Sequence, residues 1–148
     1  MSRRHDERRT ARLVADQLRQ HLPGPDILTS AQRIGDPDRY RAHVLHVEPD
    51  GSFSVLALVW QPSQVTRIHD HITWCVFSVI QGVEHEELFD QQLHPLGVTN
   101  NYPGDVNGFA PPGDIHRVRN ISDVTAISIH VYGADLSRVN SSIRRYYD

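Results

Sequence analysis

The sequence predicts a mainly β protein, an antiparallel sandwich or barrel that follows an N-terminal helical segment. Its 148 residues fit a single domain. After Asp38, short segments rich in Val, Ile, Phe and Trp recur with turn residues between them, as is typical of short antiparallel strands. Before that point, apolar residues recur every three to four positions, which indicates a helix. Several short strands behind a helix favour a sandwich or a barrel.

The expected elements divide the domain into three parts. A helix is predicted over residues 6–22 and ends at Pro23-Gly24-Pro25, and residues 29–34 permit a short second helix. The Pro49-Asp50-Gly51 turn predicts a hairpin between the first two strands. The strands are expected over residues 41–48, 53–61, 74–81, 83–90, 106–110, 115–121 and 125–132. The parts are a helical segment, a barrel, and a tail that forms a short helix or an ordered extension, at 1–38, 39–133 and 134–148.

Composition argues against several classes of function. The net charge of −3 gives no overall basic surface for nucleic acid. No apolar run approaches the roughly 18 residues of a membrane span, and the charged start lacks the apolar core of a signal peptide. The chain contains no lysine, which excludes a lysine Schiff base and a P-loop. Because Cys75 is the only cysteine, no intrachain disulfide forms, and we expect a cytoplasmic protein without nucleic-acid or membrane partners.

Three histidines are placed to bind one metal ion. His69 and His71 are two residues apart, so on a strand both rings point to the same face. His116 follows the tight turn at Pro111-Pro112-Gly113, and a closed barrel can bring its strand beside the first. Three protein ligands leave coordination positions open, which is typical of a catalytic site, and imidazole suits Fe, Zn, Cu and Ni. The alternative is that these are packed or loop histidines without a common ligand.

The spacing around these histidines resembles the two motifs of the cupin superfamily. The first motif, HxH followed by a glutamate and a glycine, corresponds here to His69-Asp70-His71, Cys75 and Gly82. The second motif, PxG followed by a histidine and an asparagine, corresponds to Pro111-Pro112-Gly113, His116 and Asn120. The resemblance implies a double-stranded β-helix, a jelly-roll-like barrel, with a metal on its three histidines.

Cys75 stands where most cupins have a glutamate ligand. In this the chain resembles the thiol dioxygenases, which keep three histidines and no carboxylate, and whose best-known members are cysteine dioxygenase and mercaptopropionate dioxygenase. The resemblance extends from Tyr40 to Gly133. It implies iron(II), with nickel or another divalent metal as alternatives. It also implies that a small thiol and O2 are the substrates and that a sulfinic acid is the product.

Ser128, His130 and Tyr132 alternate along one predicted strand and so face the same way. Their hydroxyl, imidazole and phenol can form a hydrogen-bonded relay. The resemblance implies that this triad orients the substrate and the oxygen adduct. It also implies a thioether cross-link between Cys75 and Tyr132, as in mammalian-type cysteine dioxygenases. The alternatives are a polar strand in a barrel wall and a small buried thiol.

The residue that would hold a substrate carboxylate is not evident from the sequence. Cysteine dioxygenases carry Tyr-x-Arg in the first barrel strand, and mercaptopropionate dioxygenases carry glutamine at the arginine position. Here Tyr40-Arg41-Ala42 places an alanine there. We expect Arg41 or His43 to take the role through a one-residue shift or a bulge, because an unpaired buried charge is costly. Trp74 is a further candidate for substrate contact, because a tryptophan shortly after His71 resembles the mercaptopropionate dioxygenase branch.

The remaining acidic and histidine side chains are expected to be solvated. Glu84, Glu86 and Glu87 are interpreted as a strand edge, and His85 and His94 as surface residues. Two other functions are compatible with the sequence. One is a thiol-oxidising cupin that rearranges a cysteine-derived substrate in natural-product biosynthesis, and the other is a metal- or ligand-binding cupin without turnover. The sequence does not indicate the oligomeric state.

Overall fold

The computed structural model describes residues 3–139 and 141–148 of the chain. Within them, two α-helices are formed, α1 (Arg3–Gln20) and α2 (Leu136–Val139), and a 3₁₀ turn at Pro25–Ile27 follows α1. The ten strands of these residues are β1 (Arg41–Val47), β2 (Ser54–Trp60), β3 (His69–His71), β4 (Cys75–Gln81), β5 (Glu84–Phe89), β6 (Pro95–Asn101), β7 (Val106–Phe109), β8 (His116–Asn120), β9 (Ala126–Tyr132) and β10 (Ile143–Tyr146). No helix in these ranges is long and apolar enough to cross a membrane.

The strands form two antiparallel sheets that enclose a cavity. Sheet I has the strand order β1-β2-β9-β4-β7, and sheet II has the order β10-β3-β8-β5-β6. The predicted mainly β cupin fold is confirmed. The prediction of a closed barrel is not, because in the described chain no edge strand of one sheet pairs with an edge strand of the other.

The central strands of sheet I, β2, β9 and β4, are buried on both faces. Along β2, Leu56 and Leu58 line the cavity, whereas Ala57 and Val59 point outward and pack against Leu28 of the N-terminal segment. Further along the outer face, α1 packs its small apolar residues against β4 and the residue before it; the members of this cluster include Ala11, Ala15, Trp74 and Val76. Two covered faces explain why β2 is apolar at nearly every position instead of alternating.

Two turns require glycine for physical reasons. In the predicted β1–β2 hairpin, Gly51 adopts φ +75° and its N–H donates to the carbonyl of Glu48 at 2.8 Å. Between β4 and β5, Gly82 adopts φ +80°, and a Cβ there would lie 2.8 Å from Ala126. Side chains rarely adopt this left-handed conformation, so a larger residue at position 82 would be strained and would also clash with β9.

Several elements differ from the sequence prediction. Residues 29–34 form a turn, not a helix: the backbone and side chain of Thr29 bond Gln32 reciprocally, but no helical ladder follows. Strands β3, β6 and β10 were not predicted. β3 has only three residues, β6 is mostly exposed and contains Pro95 and Gly97, and β10 carries two arginines. Such segments lack the apolar alternation that identifies a strand, and pairing with a neighbouring strand makes them regular.

Candidate metal centre

Three histidines converge on one point between the sheets. His69 and His71 alternate on β3, and His69 lies directly opposite His116 of β8 in the strand register. One ring nitrogen from each histidine lies within 4.8 Å of the others, and Nε2 of His69 is 3.2 Å from Nε2 of His116. All three side chains are buried. The structure therefore brings together the three residues that the sequence motif singled out.

Each ring has its Nδ1 atom engaged by an acceptor. The carbonyl oxygen of Arg67 lies 2.7 Å from Nδ1 of His69, and Oδ2 of Asp114 lies 2.9 Å from Nδ1 of His71. Oε2 of Glu86 lies 2.6 Å from Nδ1 of His116. With the proton on Nδ1, each Nε2 presents a lone pair to the same point. Three converging lone pairs have no proton between them, so this donor set fits a divalent cation.

Burial keeps the imidazoles in the form that binds metals. Desolvation lowers the pKa of His69 to about 3, and the neighbouring His116 and His71 lower it further. Desolvation also holds the pKa of His71 well below its usual value, again with a contribution from His116. At neutral pH these two rings are therefore uncharged, as a metal-ligating histidine must be.

The strand that carries two of the histidines is held from both sides. On one side, Oδ2 of Asp114 also accepts the backbone N–H of His71 at 2.8 Å, so a single carboxylate fixes both the strand and the ring. On the other side, β10 pairs with β3, and Asp70 accepts hydrogen bonds from Arg144 and from the Tyr147 hydroxyl, the latter at 2.8 Å. The C-terminal tail thus forms one wall of the metal centre.

The interpretation of Glu84 and Glu86 as a solvated strand edge is wrong. The side chains are 1% and 6% exposed, respectively, because both point from β5 into the cavity between the sheets. Glu87 does point outward and pairs with Arg117 at 2.8 Å. The two-residue spacing of Glu84 and Glu86, which places both on one face of a strand, was the signal that could have identified them.

Replacement of Glu86 tests its role in holding His116. We expect Glu86→Gln to weaken metal binding by about 10- to 100-fold, because the amide is a weaker acceptor for Nδ1–H and the ring loses its fixed orientation. Competition with a chelator measures this change. Glu87→Gln, the same substitution on the outer face of β5, is the control and should leave affinity unchanged. Equal affinities of the two variants would contradict the assignment.

Beside the histidines, the three predicted relay residues lie on β9 and form a connected chain. Oγ of Ser128 lies 2.8 Å from Nε2 of His130, and the Tyr132 hydroxyl lies 3.3 Å from Nδ1 of the same ring. Burial lowers the pKa of His130 to about 3 and raises the pKa of Tyr132 well above its usual value. The imidazole is therefore neutral and the phenol keeps its proton.

Cys75 lies next to this chain. It is directly opposite Tyr132 in the register of β4 and β9, and its Sγ lies 3.7 Å from Nδ1 of His130. Burial raises the pKa of Cys75 well above its usual value, so the side chain is a thiol.

The cavity beside the metal centre has a volume of about 120 Å³, which limits its occupant to a small molecule. Its apolar wall consists largely of Leu56, Leu58, Phe77 and Phe109. The relay residues His130 and Tyr132 also reach it, together with the three histidines, Glu84, Glu86 and Asn101.

The structure does not place Arg41 or His43 in this cavity. In the register of β1 and β2 they lie opposite Val59 and Ala57, whose side chains point to the outer face, whereas Ala42 lines the cavity. The expected shift in register is absent there, since the bulge in β1 lies further along, between Val44 and His46.

The contacts of Arg41 and Trp74 agree with a position outside the cavity. The guanidinium of Arg41 donates to the carbonyl of Ile34 at 3.3 Å and lies 3.8 Å from Asp36. Trp74, the third candidate, packs against α1 instead of lining the cavity. The three proposed substrate contacts are therefore corrected: none of them faces the metal centre.

Known proteins are similar to this chain in sequence or in fold. The sequence profile of the family described as cysteine dioxygenase type I matches residues 30–145. Cysteine dioxygenase type 1 of Danio rerio is 28% identical over 106 residues, which cover 66% of this chain and 52% of that protein. The chain thus spans about half the length of this relative.

Two solved structures share the fold alone. An uncharacterized conserved protein with a double-stranded β-helix domain from Klebsiella pneumoniae subsp. pneumoniae aligns with a TM-score of 0.62 at 17% identity, covering 82% of this chain and 97% of that one. A protein from Thermus thermophilus aligns with a TM-score of 0.57 at 18% identity, covering 70% and 91%. Because the family profile covers most of the sequence, the chain belongs to the cysteine dioxygenase type I family.

Proposed function

We propose that this chain is an iron(II)-dependent thiol dioxygenase that converts a small thiol, cysteine or a 3-mercaptopropionate-like compound, into a sulfinic acid. The observation that carries the proposal is the convergence of three buried histidines beside a cavity that the relay also reaches. Family membership supports it. In the overall reaction both atoms of O2 are transferred to sulfur, so R–SH becomes R–SO₂H and O2 is the sole oxidant.

The metal and the protein have separate tasks in this proposal. Iron(II) on His69, His71 and His116 would supply open coordination positions for the thiolate and for O2, and the electrons that activate O2. The apolar wall of the cavity excludes water, so a reactive sulfur species is protected from hydrolysis. A reducing compartment such as the cytoplasm would keep the thiol substrate in its free form.

The relay residues would orient the reacting groups. When His130 carries its proton on Nδ1, it donates to the Tyr132 oxygen and receives a hydrogen bond from Ser128 on Nε2. The phenol proton of Tyr132 then points away from His130, where it can donate to the Sγ of Cys75 or to a molecule in the cavity. Because burial keeps the phenol protonated, this donor is present across the physiological pH range.

Oxygen uptake tests the function directly. Protein loaded with iron and, separately, with nickel is supplied with a panel of small thiols, and the products are analysed by mass spectrometry with ¹⁸O₂. We expect uptake with the iron form and a product that contains both labelled atoms. A rearranged product would favour the biosynthetic alternative, and no uptake with any thiol would favour a binding cupin without turnover. Either result would overturn the proposal.

The cross-link between Cys75 and Tyr132 has its own test. The two residues face each other across β4 and β9, so we propose that oxidative turnover joins Sγ to the phenol ring with loss of two hydrogens, and O2 is the oxidant. Intact-mass analysis of protein after aerobic turnover should show this loss, and Cys75→Ser should abolish it. The unmodified mass in turned-over, active protein would leave Cys75 as a packing residue.

A further inference from the structure

We propose that this pocket recognises the amine of its substrate through Glu84, and that the substrate is a short aliphatic aminothiol whose binding does not depend on a carboxylate. The inference rests on the proposed function, since it names the class of thiol that the same site takes. It assigns Glu84 as the residue that determines specificity.

The cavity offers no arginine or lysine that would pair with a carboxylate. Of the described residues that line it, none is an arginine, and the chain has no lysine. Ala42 lines the cavity at the position where the sequence resemblance places an anchoring side chain, and the guanidinium of Arg41 is engaged on the opposite side of β1. A substrate carboxylate would lose its hydration here without gaining a counter-charge, which is costly.

The cavity does offer an acceptor that lacks a partner. Glu84 is 1% exposed and lines the cavity, and within the described parts of the chain its Oε2 has no hydrogen-bond partner. The other buried acid of the cavity, Glu86, is occupied by His116 at 2.6 Å. Burial raises the pKa of Glu84 to about 7, although the Ser128 hydroxyl lowers it. An ammonium group placed at Oε2 would supply the missing donor and favour the ionised carboxylate.

Two neutral donors mark the same end of the cavity. Nε1 of Trp60 and Nδ2 of Asn101 are buried and lack a partner in the part of the chain that the structure describes, and both residues line the cavity. Asn101 lies opposite Glu84 in the register of β5 and β6, and Asn120 lies opposite Glu84 on the other side while its amide donates to the Trp60 carbonyl at 3.2 Å. These groups form a polar subsite at one end of a largely apolar pocket.

The position of this subsite fits a short thiol. Glu84 is two residues from Glu86 on β5, which corresponds to about 7 Å along a strand. Glu84 and the three histidines line one cavity of about 120 Å³, and this volume limits an aminothiol that reaches both to a short chain. Cysteamine, 2-aminoethanethiol, is the simplest such molecule.

The test compares three thiols of similar size: cysteamine, neutral 2-mercaptoethanol and acidic 3-mercaptopropionate. With the iron-loaded protein, we expect kcat/KM for cysteamine to exceed that for 3-mercaptopropionate at least ten-fold. Glu84→Gln should raise KM for cysteamine by about ten-fold, leave kcat nearly unchanged and remove the preference. Glu87→Gln and Arg41→Ala are matched controls outside the cavity and should retain it. Ala42→Arg should shift the preference toward 3-mercaptopropionate.

Binding without turnover separates this inference from the proposed function. Under anaerobic conditions, cysteamine should raise the Tm of the metal-loaded wild-type protein more than 3-mercaptopropionate does, and Glu84→Gln should abolish the difference. If no thiol is oxidised but this difference is found, the dioxygenase proposal fails and the recognition of the amine stands. Equal or better use of 3-mercaptopropionate by the wild-type protein would overturn the inference. So would an equal loss of kcat for all three thiols in Glu84→Gln, which would make Glu84 part of the relay through Ser128.

Discussion

Replacing His71 with alanine is expected to reduce bound metal to about a tenth or less of the wild-type amount and to abolish thiol oxidation with it. Only three protein ligands converge on this point in the described residues, so the loss of one leaves two. The change also removes the ring that Asp114 holds at 2.9 Å, and that buried carboxylate then loses a partner. Metal analysis after gel filtration, with oxygen uptake on the same sample, measures both effects.

The same loss is expected for alanine at His69 and at His116. His94→Ala is the control, because that side chain is exposed and bonds only Asp90 among the residues described. It should keep its full metal content. Metal near the wild-type amount in His116→Ala would remove that residue from the site. Circular dichroism of each variant establishes that the fold is retained.

The second large effect is expected at Tyr132. Tyr132→Phe should lower kcat by about 100-fold, because the variant loses the phenol hydroxyl that donates a hydrogen bond to the reacting groups. Metal content should stay at the wild-type amount, because the phenol binds no metal in the proposed arrangement. Ser128→Ala should have a smaller effect, near ten-fold, since Ser128 acts on the phenol only through the His130 ring at 2.8 Å. Steady-state kinetics with a saturating thiol measures both.

Tyr102→Phe is the matched control, since that phenol is 51% exposed and lies outside the cavity. A Tyr132→Phe enzyme with kcat within about two-fold of wild type would show that the chain of hydrogen bonds on β9 only supports the fold. A loss of metal in the same variant would contradict the separation of metal binding from the relay.

The sequence by itself determined which residues are the candidate metal ligands and which form the candidate relay. The two-residue spacing of His69 and His71, and the alternation of Ser128, His130 and Tyr132, depend only on the period of a strand. The turn residues Pro49-Asp50-Gly51 predicted the first hairpin for an equally local reason. Such features can be predicted without knowing which strands lie next to each other, because each is fixed within a few residues of chain.

The tertiary structure decided which side of each strand faces the cavity. Arg41 and His43 were expected to face the cavity and do not, while Ala42 lines it, because the pairing of β1 with β2 fixes the face and a change of one residue reverses it. Glu84 and Glu86 were expected in solvent and are buried, because they point from β5 into the cavity between the two sheets. Charge alone suggests exposure, but burial depends on strands that pair from distant parts of the chain, and those pairings are set by the packing of the whole fold.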